Sequence, residues 1–199
     1  MKKKTLYLNL IKINKIKHTK LISLLLFYIL FSAFTFGQSK ASPAKLIMEK
    51  ALDEAAKNHK NLFVIFHASW CGWCHKMDSS MNDEKLKTFF NENYVVVHLT
   101  VDESKDKKEL ENSGADDIRK KYHGDKQGLP YCFILDAKGN FLADARLKDG
   151  SDPKEKQASV DCPANDEEVN YFAKVLRKTS TLNDDQISLI KEKFQKNKE

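Results

Sequence analysis

Four cysteines are the residues of this sequence best suited to chemistry, and two of them are separated by only two residues, in Cys71-Gly72-Trp73-Cys74. Thiols at that spacing close a short disulfide where the chain turns as in the first turn of a helix. A thiol at a helix N-terminus is also favoured as thiolate, because unpaired backbone N–H groups and the helix dipole both stabilise negative charge there. Thiolate is the nucleophilic form. The pair is therefore suited to attack a disulfide through Cys71 and to release the product when Cys74 closes on Cys71. Other readings of the same spacing stay open. With His75 following, the segment matches the pattern for covalent c-type haem attachment, and paired cysteines also begin zinc sites. Zinc wants four ligands, and the two remaining cysteines, Cys132 and Cys162, lack paired spacing. A fixed disulfide in a redox-silent binding module is a further alternative, although so small a loop removes little entropy from the unfolded chain.

The flanking sequence dictates which elements hold the pair. Leu62 to Phe66 is an unbroken apolar run with Val64 and Ile65, the composition of a strand buried on both faces, and the cysteines follow it directly. Ser42-Pro43 reads as N-cap and first-turn proline of a preceding helix that runs to about His59, with Ile47, Met48, Ala51, Leu52 and Ala55 on one face. From Cys71 to about Tyr94 the pattern is helical, with Met77, Met81, Leu86, Phe89 and Phe90 inward; core packing is expected of Met77 and Met81. Tyr94 to Val101 is a second expected buried strand, followed by a charged, solvated stretch from Asp102 to Glu111 and a short helix around Asp116 to Tyr122. Tyr131 to Leu135 and Phe141 to Leu147 read as strands joined by a tight turn through Gly139 and Asn140. Lys148 to Pro163 reads as a polar surface loop. Val169, Phe172, Ala173 and Leu176 then mark a helix, and Asn183 to Gln186 has capping-box spacing ahead of a last one with Ile187, Ile190 and Phe194 inward.

Phe66-His67-Ala68-Ser69-Trp70-Cys71-Gly72-Trp73-Cys74 resembles the active-site segment of thioredoxin-fold proteins, and Leu129-Pro130-Tyr131 resembles their cis-proline loop. Phe133 to Asn140 is similar to the strand and turn that follow that loop. The resemblance spans about Leu46 to Lys178 and is strongest to exported bacterial thioredoxin-like proteins with a Trp-Cys-Gly-Trp-Cys motif. It implies an α/β fold with a central mixed sheet flanked by helices. It also implies Cys71 as nucleophile, Cys74 as resolving thiol, Trp70 packed beside them and a cis Pro130 that presents the backbone of Leu129 to substrate. Gly72, Trp73 and Tyr131 are further candidates for substrate contact. Two departures stand out: Ile65 occupies the position where many thioredoxins carry a buried Asp that assists proton transfer at the resolving cysteine, and Gly72-Trp73 replaces Gly-Pro between the cysteines. Cys132 is expected as a buried free thiol, with a Cys132–Cys162 disulfide as the alternative.

The N-terminus sets the expected compartment. Residues 1–37 read as a signal peptide, seven lysines and no acid before the uncharged run Leu21 to Phe36, with cleavage after Gly37; an uncleaved membrane anchor is the alternative. Of 34 lysines and arginines, seven lie in that segment, so the rest of the chain carries 27 against 28 carboxylates and offers no basic surface for nucleic acid. Residues 38–199 are then one thioredoxin-like domain with a C-terminal helical extension over 183–197. The expected function is thiol:disulfide exchange on envelope proteins, in the reducing direction, in the periplasm of a bacterium. No cofactor or metal is expected. The expected partners are protein thiols and disulfides together with a membrane or periplasmic redox partner, and the membrane itself only if the leader is retained.

Overall fold

A computed structural model describes residues 41–147 and 159–198. The leader expected over 1–37 and most of the loop expected over 148–163 lie outside the described residues.

Four strands form one mixed sheet: β1 (Asn61–His67), β2 (Tyr94–Thr100), β3 (Tyr131–Leu135) and β4 (Phe141–Asp144), in the order β2-β1-β3-β4. β1 runs parallel to β2 and antiparallel to β3, and β3 runs antiparallel to β4. With neighbours on both sides and helices over both faces, β1 buries all of Leu62 to Phe66, as its apolar run predicts. β2 does not. It is an edge strand, and Val96, Val97 and His98 in its middle are only half-buried, so the expectation of a second fully buried strand is corrected. β3 is buried throughout. The tight turn before β4 follows from Gly139 at φ 81° and from Asp136, whose carboxylate accepts from the N–H groups of Lys138 and Asn140 at 2.8 Å each. β4 stops at Asp144 rather than continuing to Leu147, and Arg146 instead bridges to Ser159.

Six α-helices complete the described domain: α1 (Ala44–Asn58), α2 (Gly72–Met81), α3 (Lys87–Asn93), α4 (Ala115–Lys121), α5 (Asp166–Thr179) and α6 (Asp184–Gln195). Pro43, not Ser42, is the N-cap of α1, and it makes no side-chain cap. The first N–H is satisfied from outside instead, since Ala44 donates to the Ser113 carbonyl at 3.0 Å. The single helical region expected from Cys71 to Tyr94 is two helices. Asn82 ends α2, and Asp83 accepts from the Lys85 N–H at 3.0 Å, a side-chain bond that competes with helix continuation. α5 and α6 both begin with complete capping boxes, Asn165 with Glu168 and Asn183 with Gln186.

Strand alternation divides the core between the two faces of the sheet. On one face Phe63 of β1 meets Phe172 of α5, which in turn meets Phe194 of α6. On the other, Phe66 packs against Tyr131 and Phe133, and Phe133 stacks on Tyr122 just past α4 at 4.0 Å. Met77 and Met81 are core residues as expected. The tail of the expected surface loop is not at the surface: Val160, Cys162, Pro163 and Ala164 are buried, because Val160 extends the sheet edge by donating to the Ala145 carbonyl at 2.7 Å.

Candidate active site

The C-terminal end of β1 delivers Ala68, Ser69 and Trp70 into a tight turn, and α2 starts immediately after it. Cys71 is the N-cap of α2 in extended conformation, and its Sγ accepts from the Cys74 N–H at 3.1 Å. Cys71 and Cys74 are joined as a disulfide with a Cα–Cα separation of 5.2 Å. In the reduced state the same N–H and the helix N-terminus stabilise the Cys71 thiolate.

A second loop meets the pair from β3. The Leu129–Pro130 peptide is cis, as the resemblance implies. Leu129 packs against a small apolar cluster of Ala68, Cys71 and Cys74, and Pro130 is buried. Gly128 lies against the Asp161 carboxylate, so no larger residue fits there without moving one or the other.

Trp70 and Trp73 are the large exposed hydrophobics of this region, 60% and 46% accessible. The Trp70 indole N–H donates to the Asp102 carbonyl at 2.8 Å. Trp73 carries Lys76 over its ring at 4.9 Å and forms one wall of a groove of about 370 Å³ lined also by Asp161, Cys162, Glu168 and Lys198. Gly72 has open space around its Cα, at the exposed start of α2. Tyr131, expected as a candidate for substrate contact, is fully buried and donates its hydroxyl to the Tyr122 carbonyl at 2.6 Å, which removes it from the site.

The turn before Cys71 is clamped by residues that composition alone assigns to a solvated charged stretch. Glu103 is only 4% exposed. Its carboxylate accepts from the Ser69 N–H at 2.5 Å and the Ser69 hydroxyl at 2.8 Å, while its own N–H donates to Glu111 at 2.8 Å. Its neighbour Asp102 sits at φ 53° and is held by Arg119 of α4 through a two-pronged contact at 2.6 and 3.3 Å. Behind α2, His98 Nε2 meets Asp78 Oδ1 at 2.7 Å, and the His67 and His98 rings meet edge to face at 5.1 Å. Burial, and then His98, hold the His67 imidazole below its ordinary value. His75 turns its Nε2 to the Ser69 carbonyl at 3.1 Å.

Ile65 is buried and carries no charge in the strand position that many thioredoxins give to Asp. Cys132 and Cys162 are free and buried, as expected of Cys132. Burial pushes the Cys162 thiol up to about 12 and the Cys132 thiol higher still.

Residues 45–137 match a family model described as thioredoxin-like, and the chain has the mixed sheet, the Cys-x-x-Cys pair at a helix start and the cis-proline loop that this resemblance implies. The domain has a thioredoxin-like fold. Solved structures similar to this chain include a disulphide isomerase from Xylella fastidiosa Temecula1, 19% identical over 83% of this chain and 99% of that one with a TM-score of 0.45. A DsbH oxidoreductase is 21% identical over 66% and 80%, TM-score 0.40, and the oxidised C-terminal domain of Neisseria meningitidis DsbD is 19% identical over 52% and 84%, TM-score 0.36. No curated protein matches the sequence.

Proposed function

We propose that this protein is an exported thiol:disulfide oxidoreductase that reduces protein disulfides by dithiol–disulfide exchange. The observation that carries the reading is the Cys71–Cys74 disulfide at the start of α2, packed against Leu129 of a cis-proline loop. In the reduced protein the Cys71 thiolate attacks one sulfur of a substrate disulfide, forming a Cys71–substrate bond and expelling the other sulfur as thiolate, which takes up a proton. Cys74 then attacks Cys71 Sγ. The mixed disulfide breaks, the Cys71–Cys74 bond forms, and the second substrate sulfur leaves. Two electrons pass from the site to the substrate, and a partner dithiol restores them by the reverse steps. The exposed rings of Trp70 and Trp73 and the Leu129 backbone supply the contact surface for an extended substrate segment. Export rests on the lysine-rich start and apolar run of residues 1–37, which would bring the protein to the periplasm, anchored there if the leader is retained.

The test is redox titration of the pair in glutathione buffers with mass-tagging of free thiols. A reversible two-electron transition that is absent from Cys71→Ser supports exchange, and its midpoint gives the direction. A pair that stays oxidised across the accessible range in folded protein rejects it.

A further inference from the structure

The exchange reading leaves one step without an obvious agent. Cys74 must lose a proton before it can attack Cys71, and it is 2% exposed in an apolar cluster with Ala68 and Leu129, where a thiolate is disfavoured. The strand position that could supply a carboxylate is Ile65, which is buried and uncharged.

The register of the sheet points to what replaces it. Ile65 is paired with His98 of parallel β2 and with Cys132 of β3, so the imidazole lies beside the missing carboxylate, one strand outward. His98 Nε2 meets Asp78 Oδ1 at 2.7 Å. Asp78 follows Cys74 by four residues on α2, and side chains at that spacing are neighbours on one helix face. The two partners are each about a third exposed, 34% for His98 and 33% for Asp78, so the pair touches the α2 face on one side and water on the other.

We propose that the Asp78–His98 pair accepts the proton of Cys74 when that thiol resolves the mixed disulfide. The proposal rests on the dithiol–disulfide reading above. The Cys74 S–H proton passes to the Asp78 carboxylate and is held between it and the His98 imidazole. The sulfur lone pair then forms the Cys74–Cys71 bond, the Cys71–substrate bond breaks, and the substrate leaves as a thiolate that is protonated from water. The pair returns its proton to solvent through its exposed side. Imidazole is the side chain fitted to exchange protons near neutrality. The imidazole faces Asp78 on α2 and His67 on β1, and His67 in turn feels Asp78 and His75 on α2 and Glu103 in the loop after β2. Thr100 completes the cluster by meeting His67 Nε2 at 3.1 Å.

The experiment is rapid-quench mass spectrometry of the reduced full-length protein with oxidised glutathione as probe, following the glutathionylated intermediate from pH 6 to pH 10. His98→Gln keeps a hydrogen-bonding group and loses the proton acceptor; Asp78→Asn tests the other half. The expected result is accumulation of the intermediate in both variants, with resolution slowed roughly 10²-fold at pH 7. The initial attack should change by much less, and the deficit in resolution should narrow as pH rises toward 10, because hydroxide increasingly takes the Cys74 proton directly. Unchanged resolution in both variants overturns the proposal, and so does an equal slowing at every pH, which is the mark of structural damage. A wild-type protein whose Cys71/Cys74 dithiol is never oxidised by the probe overturns the exchange reading and this proposal with it, and is told apart by the wild-type trace alone.

Discussion

Replacing Glu103 tests whether a residue three positions beyond β2 on the chain, outside the motif itself, governs the shape of the motif. Its carboxylate is the shared acceptor for the Ser69 N–H and hydroxyl, at 2.5 and 2.8 Å. Hydrogen bonds to a charged partner contribute about 1.5–3 kcal/mol each. Glu103→Ala loses both and strands a backbone N–H, while relieving the cost of burying a carboxylate, so a net loss of about 3 kcal/mol is expected. For a domain of this size that corresponds to a Tm lowered by roughly 6–12 °C. Glu103→Gln keeps an oxygen for the Ser69 N–H and offers an amide N–H to the hydroxyl, so its loss should be nearer 1 kcal/mol. Gln also removes a negative charge from the turn that leads into Cys71. That favours the Cys71 thiolate, stabilises the reduced protein and raises the midpoint potential by roughly 15–30 mV. Calorimetry reads the first quantity and glutathione titration the second. An Ala variant as stable as wild type, or Ala and Gln variants that lose stability equally with no change in potential, would refute the clamp.

Two further outcomes follow from burial beside the cis-proline loop. Desolvation, and then the nearby Glu168, hold the Asp161 carboxyl above the usual range, against the opposing Ser159 hydroxyl. Its folded value is therefore above its unfolded one, so the stability it contributes is complete below about pH 4 and is lost as pH rises through the folded value. Asp161→Asn should accordingly have a higher urea midpoint than wild type at pH 7, the gap closing by about pH 3.5; a constant gap refutes the assignment. Cys132 and Cys162 are buried thiols with little thiolate at neutral pH. Reduced native protein at pH 7 should take up an alkylating mass tag fastest at Cys71, whose thiolate the start of α2 stabilises, and all four cysteines should be tagged in denaturant. Rapid native labelling of either remaining cysteine would contradict their burial.

Where periodicity was strong, the chain announced its elements. Leu62 to Phe66, Tyr131 to Leu135 and the capping box at Asn183 are local signals that tertiary packing had no reason to override. The differences arose where packing supplied what the local sequence seemed to lack. Ser42 is not needed as a cap because Ser113 serves the first N–H of α1. Tyr94 to Val101 has the composition of a buried strand, but a strand order cannot be read from composition, and an edge position leaves its middle half-buried. Val160 and Cys162 sit in a segment of polar character and are buried because the chain there pairs with the sheet edge at Ala145.

Cys71, Cys74 and the cis Pro130 were legible because each is bound to a short motif, whereas Glu103, Asp78 and His98 were not, because their roles exist only across the sheet. One signal for them was nevertheless present. β1 and β2 are joined by a helical crossover and run parallel, so their C-terminal ends lie side by side. His67 pairs with Thr100, and the chain continues from one to Ser69, Trp70 and Cys71 and from the other to Asp102 and Glu103. A charged residue two or three positions past the end of β2 is thereby forced next to the turn that carries the nucleophile, whatever its apparent solvation in the sequence. By the same register, His98 lies beside Ile65, one strand outward from the position that many thioredoxins give to Asp. An absent acid on a central strand thus directs attention to the residue opposite it on the neighbouring strand, and in this chain that residue is an imidazole already paired with a carboxylate one helical turn from Cys74.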